Sequence, residues 1–165
     1  MGDIPSETAT TTTTITPEAR TAHVQSLITR LIAASPIYNF LLSPVRLHET
    51  RPGTVTTRLT LGPEHVNSRA SLHGAVSAAI VDFTTGLAIA SWDLRPTTGP
   101  SVDMHISYLS TAAVGDELEI VATAEKVGGA LAFVTVRIAK VGEEGATTVV
   151  TLGQHTKYVR GTAPK

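Results

Sequence analysis

Two periodicities divide the chain. Near the N-terminus Val24, Leu27, Ile28 and Leu31 recur at i, i+3, i+4 and i+7, which marks one apolar face of a helix. Thr16, Pro17 and Glu18 supply its start: a capping hydroxyl, a proline preset for the first turn and an acid at the positive end of the helix dipole. Ser35-Pro36 ends it, and the helix is expected on the rim of the domain. From Val45 the period shortens. Val45–Glu49 and Thr54–Leu61 flank Arg51-Pro52-Gly53, which reads as a hairpin turn. Ser101–Leu109, Leu118–Val127, Leu131–Val141 and Thr147–Val159 read as four more strands, separated by Gly115-Asp116, Gly128-Gly129 and Gly142–Gly145. In Leu131–Ile138 both alternating faces are fairly apolar, so this part of the sheet is expected to be covered on both sides.

Between the second and third strands, Leu72 to Trp92 is apolar nearly all round and dense in alanine and glycine. A helix of that composition is buried rather than laid on a surface. The order predicts an α+β domain, an antiparallel sheet of about six strands wrapped around one long buried helix. Residues 1–15 read as a disordered Thr-rich tail, 16–44 as an N-terminal helix and connector, and 45–160 as the domain proper.

Composition narrows the function. Lys and Arg total 13 against 14 Asp and Glu, a net charge of −1, which argues against a nucleic-acid partner. The absence of cysteine removes disulfides, thiolate metal sites and a cysteine nucleophile. It also fits a reducing compartment: the cytoplasm is expected, with the mitochondrion as the alternative. Asp3 and Glu7 depart from the acid-poor pattern of a presequence, and the opening Met1-Gly2 to Ser6 is a poor match to a myristoylation signal. Apolar runs are broken before ~18 residues, so no transmembrane helix is expected.

Asp82 is the anomaly, a carboxylate inside a nearly all-apolar helix with no Lys or Arg at i±3 or i±4. One reading turns it to solvent or bonds it to a neighbouring hydroxyl such as Thr85. The functional reading is an unpaired base with a raised pKa, whose neutralisation would keep or raise the melting temperature. His73-Gly74 opens the same helix, where the first amides lack intrahelical acceptors and carry the positive end of the dipole. A glycine there admits a substrate carbonyl to the amide, unless Gly74 is only an entry turn and His73 only a cap. Asn67 could place a second donor near the same carbonyl. His73 and Asp82 are nine positions apart, about 13.5 Å of helical rise, and project on opposite sides. One chain therefore cannot bring both onto one substrate atom, and a site they share lies at a two-fold interface.

The ordered set Asn67, Leu72-His73-Gly74-Ala75, Val81-Asp82, Ser101-Val102-Asp103-Met104-His105-Ile106-Ser107-Tyr108 and Gly153-Gln154-His155-Thr156-Lys157 resembles the small hotdog-fold thioesterases. The likeness is to the phenylacetate-pathway type and thioesterase superfamily member two, and spans Val45 to Val159. It implies hydrolysis of acyl-CoA thioesters to free fatty or aryl acid and CoA. Asp82 would be general base or nucleophile, and Gly74 and Asn67 would polarise the carbonyl. His73 would support the Asn67 end, and Ser101 would place the water. CoA contacts would fall on Tyr108 and Ser110, on Lys126, Gly128 and Leu131, and on His155. A homodimer or homotetramer is implied, with no metal and no bound cofactor. Ala75 stands where the family often has a second glycine, and Ala113 and Gly129 stand where relatives place basic residues. The alternatives are a hotdog dehydratase or hydratase, and an acyl-CoA-binding module without turnover.

Overall fold

The computed structural model describes residues 15–164; the readings made for Met1–Thr14 lie outside the described residues. Thr16 caps α1 (Pro17–Ala34), its hydroxyl accepting from the Ala19 N–H. The Ser35-Pro36 pair that ends α1 also starts α2 (Pro36–Leu42), the Ser35 hydroxyl accepting from the Tyr38 N–H. The stretch expected to be a connector is thus a helix, because a Ser-Pro pair is a stop signal and a start signal at once.

The remaining order is β1 (Arg46–Arg51), β2 (Thr54–Thr60), α3 (Gly74–Asp93), β3 (Ser101–Tyr108), β4 (Glu117–Val127), β5 (Leu131–Val141) and β6 (Thr147–Tyr158). The strands make one antiparallel sheet in the order β1-β2-β4-β5-β6-β3, and α3 packs on one face of it. This is the α+β hotdog arrangement. The period of two does the sorting: in β4, Leu118, Ile120, Ala122 and Ala124 are buried against α3 while their neighbours are less covered. Gly153 lets β6 close on the helix, since a Cβ there would lie 2.8 Å from the Val81 side chain.

By length and composition α3, 20 residues long with a mean hydropathy of 1.4 over an 18-residue window, matches a membrane span; most of that window is buried within the protein. One expectation is corrected. The outer face of β5 is open in the single chain, with Leu131 36% and Phe133 43% exposed, because only one face of the sheet carries a helical layer.

The rim helix also reaches inward. Val24, Leu27 and Ile28 of α1 are buried, and the helix packs on α2, α3 and β1. The last turn of α3 has no basic residue of its own, and its final carbonyls need partners. The cation comes from α1: the Arg20 guanidinium donates to the Ser91 carbonyl and, at 3.2 Å, to the Trp92 carbonyl. Arg20→Met keeps the buried stem and removes these bonds, so it should lower unfolding free energy by about 2 kcal/mol. The exposed Gln25→Ala should stay within about 0.5 kcal/mol of wild type. Urea denaturation of both variants checks the difference.

Candidate active site

Asp82 sits midway along α3, half-buried, and both of its oxygens are held. Oδ2 accepts the Tyr38 O–H at 2.6 Å. Oδ1 accepts from Lys157 Nζ at 3.0 Å and from the Ser101 O–H at 3.4 Å. Ser101 Oγ also bonds His155 Nε2 at 2.9 Å, and His155 Nδ1 faces Asp82 Oδ1 at 3.9 Å. Three elements supply these groups. The alternation of β6 points Gly153, His155 and Lys157 at α3, and pairing of β3 with β6 sets Ser101 opposite Lys157. The turn from α1 into α2 brings in Tyr38, whose ring stands edge-on to Phe83 with centroids 5.2 Å apart.

The unpaired carboxylate expected here is therefore corrected. Its partners come from a strand and another helix, which a search at helical spacing does not reach. Burial pushes the Asp82 pKa up, but the Tyr38 hydrogen bond, the Lys157 charge and hydrogen bond, and His155 together outweigh it. The net effect holds Asp82 below the usual carboxylate range, not above it. Burial first, and then the bond to Asp82 and its charge, raise the Tyr38 phenol well above its ordinary value, so it remains a donor. His155 is held down by burial and by Lys157, with Asp82 and Asp103 pulling weakly the other way.

A second cluster lies at the start of α3. His73 is the N-cap, its Nδ1 accepting from the Ala75 N–H at 3.0 Å. Among the described residues the Gly74 N–H has no acceptor, and the Tyr108 hydroxyl donates to the Gly74 carbonyl at 3.2 Å. A Cβ on Gly74 would meet the Tyr108 ring at 3.2 Å. Asn67 Oδ1 accepts from Arg69 N at 2.9 Å and Ser71 N at 3.3 Å, which closes the loop; among the described residues its amide NH₂ has no acceptor. Asn67, Arg69, Gly74, Tyr108 and Ser110 line one cleft of about 370 Å³.

Within one chain these two clusters stay apart. Gly74 and Asp82 are eight residues apart on the same helix, about 12 Å. The residues implied for CoA divide in the same way. Tyr108 pairs with Thr151 at one end of β6, beside the Gly74 cleft, and Leu131 pairs with Tyr158 at the other. That is roughly 23 Å along the strand. Lys126 is exposed on β4, and the Gly128 N–H closes the β4–β5 turn onto the Leu131 carbonyl at 2.8 Å. His155, implied as a CoA contact, is 1% exposed and lies in the Asp82 cluster. Tyr38, Lys157 and Arg69 are the site residues the sequence reading assigned no role. Lys157 was accessible to it, since the period of two puts it on the inward face with His155. Nothing in the sequence marks Tyr38. Among the described residues, no group of three or more His, Asp or Glu side chains could hold a metal ion.

Asp82 midway along α3 and the Gly74 amide at its start, about 12 Å away, are the two candidate groups on this fold. Residues 70–146 match the thioesterase superfamily model. Human acyl-coenzyme A thioesterase 13 is 32% identical over 141 residues, covering 84% of this chain and 98% of that protein. The crystal structure of zebrafish thioesterase superfamily member 2 superposes with a TM-score of 0.73 at 32% identity, covering 88% of this chain and 99% of that one. The PaaI protein of the E. coli phenylacetic acid degradation operon shares the fold at a TM-score of 0.66 and 16% identity, over 87% and 98% of the two chains. The chain belongs to the thioesterase superfamily.

The ion pair changes what neutralising Asp82 does to stability. Lys157 is 9% exposed in its side chain, so Asp82→Asn leaves a nearly buried ammonium without its counter-charge. The variant should be destabilised by about 1–3 kcal/mol at pH 7. A carboxylate whose folded pKa is depressed contributes stability above its unfolded pKa of about 3.9, lost as pH falls through the lower folded value. Melting curves of wild type and Asp82→Asn should accordingly converge as pH drops below about 4.

Proposed function

We propose that the protein hydrolyses acyl-CoA thioesters to a free acid and CoA, at a site composed from two chains. One chain supplies Asp82 as general base or nucleophile, with Ser101 placing the water; the other supplies the Gly74 amide and the Asn67 side chain. The observation that carries this reading is the separation of Asp82 from the free Gly74 N–H on a single rigid helix. Two copies of α3 lying antiparallel would set each Asp82 beside the other chain's Gly74.

The chemistry follows from the charges. Asp82, ionised at neutral pH, takes a proton from water as it attacks the thioester carbon. Charge developing on the carbonyl oxygen meets the Gly74 N–H at the positive end of α3, in line with the Asn67 amide. Collapse expels the CoA thiolate, which takes up a proton. Strand β3 supports the pairing. Among the described residues it bonds only to β6 and leaves its other edge unpaired, and it exposes Val102 (57%) and Met104 (36%), a long edge of the kind that proteins cover. Arg69 on the Gly74 cleft is a basic group within reach of an anionic carrier, in a chain where Ala113 and Gly129 offer none.

Free-thiol release from a panel of acyl-CoAs tests the activity; no release from any of them leaves an acyl-CoA-binding module. Asp82→Asn should lower turnover by ~10²–10⁴-fold, the worth of a positioned base. Gly74→Pro removes the amide N–H at the first helical residue, after a residue at φ −72°, ψ 132°; because its Cβ also comes within 3.2 Å of Tyr108, Gly74→Ala, which adds the same Cβ and keeps the N–H, is the reference. Against that reference Gly74→Pro should cost ~10²–10³-fold. A Gly74→Pro enzyme as fast as Gly74→Ala excludes the amide from the reaction.

A further inference from the structure

We infer that Tyr38 is the residue that positions Asp82 for the reaction and sets how readily it accepts a proton. This rests on the reading of Asp82 as the reacting carboxylate. A carboxylate offers about four lone-pair positions over its two oxygens. On Oδ1 they are taken by Lys157 Nζ and the Ser101 hydroxyl. On Oδ2 the Tyr38 hydroxyl takes one, at 2.6 Å, and one is left. The Asp82 side chain is 33% exposed, so the carboxylate is within reach of water. The oxygen that collects the proton is therefore the oxygen Tyr38 holds.

Two consequences follow. The terminal torsion of an aspartate is broad, and with Oδ1 alone anchored the free oxygen could swing. Tyr38 pins it from the opposite side to Lys157, so the remaining lone pair points in one direction. The bond is also charge-assisted, and it favours the ionised form. The groups facing Asp82 are Tyr38 from α2, Lys157 and His155 from β6, and Ser101 from β3; Asp103 acts through His155. Lys157 and His155 remain when the phenol is lost, so the carboxylate stays paired but becomes more basic. Tyr38 sits on α2, outside the sheet-and-helix unit that carries every other group in the cluster. The N-terminal helices thereby reach the chemistry itself.

The test is Tyr38→Phe, which keeps the ring edge-on to Phe83 and removes only the hydroxyl. The pH dependence of kcat/KM is measured for wild type, Tyr38→Phe and Asp82→Asn, with melting temperatures on the same preparations. The acid limb of Tyr38→Phe should move to higher pH than in wild type, so that its deficit grows as pH falls. A carbon-13 titration of the Asp82 carboxyl should show the same upward move without turnover. An inactive Asp82→Asn with an unshifted Tyr38→Phe limb and titration, whatever the melting temperature does, would overturn the role of Tyr38 alone. Wild-type turnover in Asp82→Asn would overturn the reading of Asp82 and this inference with it.

Discussion

A negative charge inside an apolar helix must be balanced by groups from outside that helix, and much of this structure is arranged around meeting that requirement at Asp82. Lys157 brings the counter-charge on the inward face of β6, and Gly153, two turns of the pleat earlier, lets that strand lie close enough on Val81 for the ammonium to reach. Tyr38 closes the other side from α2. Losing one of them leaves the carboxylate paired but more basic; losing all of them would leave it to be neutralised by a proton, since an isolated ionised group in an apolar setting shifts its pKa before it stays charged. Held as it is, Asp82 is ionised where an unsupported acid would not be. The cost falls on its strength as a base, because every donor that stabilises the charge also weakens its pull on a proton.

The proposed hydrolysis has a second requirement, a donor for developing negative charge, which a feature any helix has would meet. The first amides of α3 have no carbonyl to bond within the helix. His73 satisfies the Ala75 N–H with its own side chain, and among the described residues the N–H of Gly74, which lines the cleft, is left without an acceptor. Both requirements are thus placed on one helix, and the rigidity of that helix keeps them about 12 Å apart. Under the proposed reaction, the same element that carries each half keeps a single chain from joining them. The exposed edge of β3 offers the surface through which a second copy could complete the site.

How much of this was legible in the sequence depended on the distance over which each signal acts. The six strands and α3 were readable because periodicity is local, and Asp82 stood out because its neighbours in sequence are its neighbours on the helix. What the carboxylate touches was not readable in the same way. Lys157 is 75 residues away and Tyr38 is 44 residues away, and neither relation has a spacing rule. Looking for partners only at i±3 and i±4 turned a paired acid into an unpaired one and reversed the sign expected for its pKa and for the stability of Asp82→Asn. Tyr38 was also hidden by punctuation, since Ser35-Pro36 was read as the end of one helix and not the start of the next. The open outer face of β5 misled for a related reason: apolar alternation marks a face that would gain by being covered, without saying what covers it, and among the described residues only the other face carries a helical layer.

The two-chain site is the central claim, and subunit complementation tests it most directly. Asp82→Asn and Gly74→Pro chains are each inactive under this account, but a hybrid pair holds one site with an intact Asp82 and an intact Gly74. Mixed in equal amounts, unfolded and refolded together, they should recover about a quarter of wild-type turnover, from half the pairs carrying one working site of two. Recovery should track the fraction of hybrid seen on resolving the mixture with a charge tag. Hybrids that form and remain as inactive as the parents would contradict a site shared between chains.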